Sequence, residues 1–201
     1  MYLLFQLAVF TCGVTGALAA GRKNMDGIGV IVLSIVTALG GGTIRDVLLQ
    51  NYPVFWIEDP SYLVVAVMGS LIAAVTARFW IRIESALTIV DALGLAMFTT
   101  VGAQEAIRLG APGSVVILMG VITGTAGGVL RDVLSNQVSF LFNHGELYAT
   151  ASILGATLLV IFDRLHFHRE TGWLLATGAC LALRLAAIRW GWKLPMLRIP
   201  K

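Results

Sequence analysis

Apolar segments of about 20 residues follow one another along this chain, with only short polar connections between them. One helical crossing of a bilayer needs about 20 residues, whereas a barrel strand needs only about 9–11. The 201 residues are 58% hydrophobic and 12% charged, against about 45–50% and 25% in a soluble domain. The bilayer must therefore be the solvent of this chain. We predict a single all-α membrane domain with helices over 2–20, 25–49, 61–82, 86–107, 113–135, 147–165 and 171–190.

One short motif occurs twice inside these apolar segments. Residues 41–48 read GGTIRDVL and residues 127–134 read GGVLRDVL. A charged side chain at the centre of a bilayer costs about 2.5–3.5 kcal/mol on insertion scales, and such residues commonly mark a transport path. The doubled motif therefore favours a transport function.

The two motifs belong to a longer internal repeat with an offset of 86 residues. The alignment has no gap from Gly16 to Leu48, and it continues to pair Tyr62 with Tyr148. We therefore divide the chain into repeat one (about 1–85), repeat two (about 86–170) and an extra seventh helix (about 171–190). Because each repeat has three helices, the second enters the membrane from the opposite side. This predicts a 3+3 inverted repeat, an arrangement that many transporters build their substrate path around.

The distribution of Lys and Arg predicts the orientation. Cytoplasmic flanks of membrane proteins are enriched in these residues, and with seven crossings eight fall on one side and three on the other. The N-terminus is then outside and the C-terminus in the cytoplasm. The first side has Arg22, Lys23, Arg78, Arg82, Arg189, Lys193, Arg198 and Lys201, and the second has Arg108, Arg164 and Arg169.

Glycines precede both Arg-Asp pairs. Glycine is about 1 kcal/mol worse than alanine in a helix interior, so we expect Gly40, Gly41 and Gly42 to bend or locally unwind the second helix. Carbonyls and amides freed there could hold an ion or an anionic group. Glycines of the fifth helix, Gly120, Gly124, Gly127 and Gly128, would do the same. The alternative is that these small residues only allow close helix packing.

Arginine and aspartate at adjacent positions point about 100° apart on a helix. We therefore expect Arg45 and Asp46 not to pair along one face. Each Arg would point into a wet cavity, and each Asp would bind a neighbouring helix or amide. The alternative is that Arg45 and Arg131 extend to the lipid headgroups. If each arginine points into a cavity, replacing either arginine with alanine is expected to change transport more than assembly.

The remaining polar residues give weaker indications. We expect Asp91 to cap the fourth helix or else to face an external vestibule, and Glu105 to be solvated. Arg184 could pair with an acid or line the inner mouth. Cys12 and Cys180 are expected to be packing residues, and His166 with His168 is a weak metal motif. No catalytic spacing is present, which argues against an enzyme, and the net charge of +3 fits membrane flanks better than nucleic-acid binding.

The doubled motif, the length and the seven predicted helices resemble the prokaryotic trimeric intracellular cation (TRIC) channels, also known as glycine-transporter-like membrane proteins. The resemblance covers the whole chain, including Leu183-Arg184-Leu185 and Leu194-Pro195 near its end. It implies a homotrimer in the bacterial inner membrane, with one ion path in each protomer and with helices 2 and 5 kinked at the glycines. Animal members have a Lys-rich lipid-binding motif that this chain lacks, which argues against phosphoinositide regulation.

The resemblance also implies a function and a set of residues. Potassium and other monovalent cations such as sodium would permeate, without any cofactor or resident metal. By the resemblance, the path would be formed or supported by Gly40, Gly41, Gly42, Arg45, Asp46, Gly124, Gly127, Gly128, Arg131 and Asp132. We add Thr43 and Thr123, whose hydroxyls would replace water near the broken helices. A secondary transporter of glycine or a similar small zwitterion is the alternative, because an arginine is an unusual wall for a cation pore. A membrane scaffold without a path is the third possibility.

Overall fold

The computed structural model describes residues 2–76, 83–139, 141 and 147–195, with side chains omitted at 83–86. These residues form eight α-helices and no strand assigned as an element. The helices are α1 (Tyr2–Arg22), α2 (Gly27–Leu48), α3 (Phe55–Glu58), α4 (Ser61–Thr76), α5 (Ile83–Arg108), α6 (Gly113–Leu134), α7 (Ala149–Arg164) and α8 (Arg169–Trp190).

The predicted helical membrane architecture is confirmed, and one helix was missed. The helices α1, α2, α6, α8 and the part of α5 from Leu87 are each long and apolar enough to cross a membrane. The helices α4 and α7 have 16 residues each, so the count of seven crossings stays a prediction. The missed helix is α3, a single turn inside the connection predicted between 49 and 61. Of the residues used to predict orientation, Arg78, Arg82, Arg198 and Lys201 lie outside the described residues.

The polarity of the molecule is the reverse of that of a soluble protein. Large apolar side chains such as Leu3, Ile28 and Val75 are 78%, 74% and 69% exposed. Charged side chains are buried instead: Arg45, Asp46, Arg131, Asp132 and Arg184. Apolar surface faces lipid at no cost, whereas a charge within the membrane is tolerated when it faces the interior of the bundle. The fold thus places the ionisable residues of the motifs on its inside.

Small residues set the helix packing. A Cβ atom at Gly13 of α1 would lie 2.6 Å from the carbonyl oxygen of Ala66 in α4, and one at Gly155 of α7 would lie 2.8 Å from the Cβ of Cys180 in α8. Such contacts are typical of membrane helix interfaces, where backbones approach closely. The two central helices are α2 and α6, which lie against each other, while α1 and α5 pack beside them.

Positions 86 residues apart have the same local geometry. The helices α2 and α6 both have 22 residues. After α2 the left-handed residue is Gln50 (φ 54°), and after α6 it is Asn136 (φ 51°). The carbonyl of Asp46 accepts a hydrogen bond from the amide of Asn51, as that of Asp132 does from Gln137. The central helices therefore end in equivalent ways.

The cap of α2 leads to a first prediction. The carboxylate of Asp26 accepts a hydrogen bond from the amide of Gly29 at 2.7 Å, whereas the equivalent residue before α6 is Pro112, which has no side-chain cap. Because an N-cap contributes about 1 kcal/mol, Asp26→Ala is expected to lower the free energy of unfolding by that amount. Thermal unfolding in detergent would measure it. Asp26→Asn keeps a capping oxygen, so an equal loss in both variants would contradict capping as the cause.

Candidate functional site

The site is centred on the crossing of α2 and α6, which meet through their glycines. A Cβ atom at Gly41 would lie 2.3 Å from the carbonyl oxygen of Thr123, and one at Gly127 would lie 2.3 Å from the carbonyl oxygen of Thr37. The two contacts are reciprocal, because Thr37 and Thr123 are themselves 86 residues apart. Reciprocal contacts of this kind are the signature of a two-fold relation between the contacting surfaces.

The glycines allow this approach without breaking either helix. Both α2 and α6 are continuous α-helices through the glycine positions, so the predicted local unwinding is wrong, and the bend stays a prediction. Gly40 faces Leu130 of α6, and Gly42 faces the ring of Phe55 in α3. In α6, Gly124 packs on Thr99 of α5. Because packing against neighbouring backbones compensates the poor helix propensity of glycine, the close-packing alternative describes these glycines better.

The threonine hydroxyls near the crossing bond to their own helices. Thr37 and Thr123 each donate to the carbonyl four residues earlier at 2.6 Å. Thr43 donates to Leu39 at 2.8 Å and accepts from the indole N–H of Trp56 at 3.0 Å. Each hydroxyl satisfies a helical carbonyl and keeps an oxygen that can accept a further hydrogen bond. The hydroxyls are therefore available as acceptors, whereas the freed backbone carbonyls expected at a helix break are not observed.

Arg45 forms the first of two half-sites. Its Nε donates to Asp46 Oδ1 at 2.7 Å, and its Nη2 lies 2.7 Å from the same oxygen. The other oxygen of Asp46 accepts the amide of Phe55 at 2.9 Å. The guanidinium carbon lies 5.6 Å and 5.9 Å from the ring centres of Phe55 and Phe5, within cation–π range. Nη1 is buried and has no hydrogen-bond partner among the described residues.

Arg131 forms the second half-site, with one more acid. Its Nε donates to Asp132 Oδ1 at 2.9 Å, and its Nη1 donates to Asp91 Oδ1 at 2.6 Å. Asp91 lies within α5, 86 residues after Phe5, and it is only 6% exposed. The expectation that Asp91 caps its helix is wrong, because α5 begins at Ile83 and the carboxylate turns inward to the arginine. Arg131 thus contacts two carboxylates where Arg45 contacts one.

Two expectations about the motif residues are corrected by this geometry. Each arginine does pair with the aspartate that follows it, because the long side chain folds back over its own helix end and spans the 100° between them. Neither arginine extends to the surface, since Arg45 and Arg131 are 1% and 0% exposed. The expected bond between an aspartate and a neighbouring amide is present at Asp46. These charges are held inside the bundle by paired hydrogen bonds.

A cavity of about 380 Å³ opens beside Arg45, and we call it the vestibule. Glu105, expected to be solvated, lies in its wall and accepts hydrogen bonds from Arg108 at 3.0 Å and from Asn51 at 3.3 Å. Sequence reasoning missed most of this wall because its residues come from six separate helices and a loop. The lining residues are Tyr2, Phe5, Arg45, Asn51, Phe55, Glu58, Tyr62, Val101, Gln104, Glu105, Arg108 and Arg169.

A much smaller cavity of about 10 Å³ lies at the crossing itself. That volume is about the minimum for one water molecule. Among the predicted site residues, its wall contains Gly41, Thr123, Gly124, Gly127 and Gly128. Of the predicted site residues, Arg45 therefore lines the vestibule and these five line the crossing. Gly42 and Thr43 contact α3 instead. Asp132 pairs with Arg131. The conformation described is closed at the crossing.

Arg184 of α8 joins the second half-site. Its guanidinium carbon lies 5.0 Å from the ring centre of Tyr148, and Tyr148 also lines the small cavity together with Asp91. The sequence suggested that Arg184 either pairs with an acid or lines the inner mouth of the path. Neither suggestion includes this contact with an aromatic ring. Cys12 and Cys180 are free thiols. Within the described ranges no group of three His, Cys, Asp or Glu residues is arranged to hold a metal ion.

Comparison with known proteins places this geometry in context. A family model described as "Glycine transporter" matches the chain twice, over residues 2–78 and 88–164. The UPF0126 inner membrane protein YadS of Escherichia coli (strain K12) is 42% identical over 190 residues, which are 94% of this chain and 90% of that protein.

Solved structures match over nearly the full length. The TRIC trimeric intracellular cation channel orthologue from Rhodobacter sphaeroides is 37% identical with a TM-score of 0.91, covering 95% of this chain and 98% of that one. A prokaryotic TRIC channel crystallised in 0.5 M KCl is 31% identical with a TM-score of 0.88, covering 96% and 100%. The family and fold are those of membrane proteins and channels rather than of enzymes.

Proposed function

Since this chain belongs to the family of the prokaryotic TRIC channels, we propose that it is a passive channel for monovalent cations, chiefly potassium and also sodium. The observation that carries the proposal is a pair of cavities along α2, the vestibule at Arg45 and the small cavity at Gly41, four residues earlier at the crossing with α6. Thr37 and Thr123 line the crossing, and acceptor oxygens such as those of their hydroxyls can replace the hydration shell of a permeating cation. No cofactor is needed for this activity.

We propose one path in each protomer of a homotrimer in the inner membrane. The repeats, residues 1–85 and 86–170, would each supply one half-site from opposite sides of the membrane, and α8 would support the second. The Lys and Arg distribution supports an N-terminus outside the cell, in which case the vestibule, whose wall includes Tyr2, would open to the outside. Opening requires α2 and α6 to separate at Gly41 and Gly127, because the cavity between them is about 10 Å³.

A secondary transporter of glycine or a similar small zwitterion is the second candidate. It is supported by the description of the family model and by the free Nη1 of Arg45. Purified protein reconstituted into planar bilayers distinguishes the two functions. Unitary currents in potassium salts that do not need glycine support the channel. Saturable glycine uptake into vesicles without unitary currents would contradict it.

The charge of Arg45 gives a second prediction for this assay. Arg45→Gln removes a positive charge from the vestibule wall and leaves Asp46 anchored by the amide of Phe55. A negative wall concentrates cations, so potassium conductance is expected to rise several-fold at low salt, and less at high salt because of screening.

The matched control is Arg45→Gln combined with Asp46→Asn. This double variant keeps the local charge at zero, and its conductance is expected to stay closer to that of the wild type. An equal rise in both variants would mean that side-chain size rather than charge controls the current. Unchanged conductance in both would place the cation path away from Arg45.

A further inference from the structure

The vestibule and the small cavity at the crossing, here called the crossing cavity, lie one after the other along α5. Asp91, Leu95 and Phe98 line the crossing cavity, and Val101 is the first residue of α5 in the vestibule wall. Three residues of an α-helix rise by about 4.5 Å, so the two cavities are about one helical turn apart at Phe98. Among the described residues, none lines both cavities.

Two phenyl rings occupy this boundary. Phe5 of α1 lines the vestibule and Phe98 of α5 lines the crossing cavity. Their ring centroids are 5.9 Å apart, and their planes are at 89°, which is edge-to-face packing. Phe98 is only 3% exposed, and Phe5 also stacks on Phe55 of the vestibule wall at 5.0 Å. The direct route from the vestibule to the crossing cavity therefore meets the contact between these two rings.

The internal repeat shows that the fold does not require aromatic rings at these positions. The residue 86 positions after Phe5 is Asp91, and the residue 86 positions before Phe98 is Cys12. Both Asp91 and Cys12 line the crossing cavity. Where one side of the crossing has two rings, the equivalent pair on the other side is thus a carboxylate and a thiol. The aromatic pair is a feature of the vestibule side alone.

We propose that Phe5 and Phe98 form an apolar barrier between the vestibule and the crossing cavity. Ions pass it only when the two rings separate, because apolar constrictions exclude the water that accompanies an ion. The barrier is a second constriction, in addition to the contact of α2 with α6. Its effect on current rests on the proposed channel function, whereas the separation of the two cavities does not.

Cys12 reports on the barrier without any measurement of current. Its thiol lines the crossing cavity, and Ag⁺ is a monovalent cation that binds a thiol sulfur in place of the proton. The purified protein in detergent would be exposed to silver nitrate in chloride-free buffer for timed intervals and then denatured. Alkylation of the remaining thiols, followed by mass spectrometry of the peptides, gives the reaction rates of Cys12 and Cys180 separately.

Phe98→Ala removes one ring of the barrier and is expected to increase the reaction rate of Cys12 with Ag⁺ at least several-fold. Met97→Ala is the matched control, because it shortens a neighbouring side chain that is also buried but lines neither cavity. This variant is expected to retain the wild-type rate, and Cys180 is expected to react equally in all three proteins. Thermal unfolding checks that both variants are folded. An unchanged rate at Cys12 in Phe98→Ala, or an equal increase in Met97→Ala, would overturn the barrier.

Bilayer recordings of the same proteins separate this proposal from the channel function. Potassium current is expected to increase several-fold in Phe98→Ala and to stay at the wild-type level in Met97→Ala. Faster reaction of Cys12 in Phe98→Ala, without current in any of the proteins, would support the barrier and contradict the channel. Wild-type current together with unchanged current and unchanged Cys12 reaction in Phe98→Ala would support the channel and contradict the barrier.

Discussion

Gly41→Ala and Gly127→Ala are each expected to destabilise the protein by about 1–3 kcal/mol or more, the range for overpacking a close-packed interior. In each variant the new methyl group would lie 2.3 Å from a backbone oxygen of the opposite helix. A flexible side chain could move aside, but a helical carbonyl can move only with its helix. The crossing must then widen, which separates α2 from α6 along their contact. Thermal or denaturant unfolding in detergent would measure the loss.

A matched control separates this contact from the intrinsic preference of helices for alanine. Gly178 lies in the interior of α8, and a Cβ atom there would have nothing within 4 Å. Gly178→Ala is therefore expected to be neutral or to stabilise by up to about 1 kcal/mol. Equal stability changes in Gly178→Ala and Gly41→Ala would show that the crossing is not tightly packed. Under the proposed channel function, Gly41→Ala and Gly127→Ala, but not Gly178→Ala, are also expected to shift channel opening, because only the first two change the crossing of α2 and α6.

The sequence predicts the helices and the equivalence of the motifs because both depend on local patterns. Apolar runs set the helix lengths, and the alignment pairs Gly41 with Gly127 and Arg45 with Arg131. The cost of charge in lipid predicts that both arginines avoid the hydrocarbon, but it left open whether they face a cavity or the headgroups. These features need no knowledge of which helix contacts which.

The contacts between helices could not be predicted in the same way. Phe5 and Asp91 are equivalent in the alignment, but nothing local shows that one covers Arg45 while the other bonds Arg131. The pairing of Arg45 with Asp46 was missed because helical geometry fixes the direction of Cβ and not that of a long side chain. The vestibule was missed for a related reason, since Glu58 and Glu105 are distant in sequence and meet only in the fold.

The unequal half-sites lead to the second large effect. Arg131→Gln is expected to destabilise the protein by about 3–5 kcal/mol, because removing one partner of a buried ion pair leaves an uncompensated charge. Two buried carboxylates, Asp91 and Asp132, then remain close together. Arg45→Gln is expected to cost less, since it leaves only Asp46, which keeps the amide of Phe55 and lies beside the vestibule. The earlier expectation that both arginines affect transport more than assembly is therefore revised for Arg131.

A double-mutant cycle tests whether Asp91 causes this difference. Adding Asp91→Asn to Arg131→Gln removes one of the two unpaired charges, so it is expected to recover part of the lost stability, whereas Asp91→Asn alone is expected to destabilise. Contacting charged residues typically show coupling of about 0.5–3 kcal/mol in such cycles. Additive changes would mean that the 2.6 Å contact between Arg131 and Asp91 contributes little. Strong coupling would show that Arg131 and Asp91 act as one buried ion pair, which stabilises the second half-site in a way that Phe5 cannot reproduce in the first.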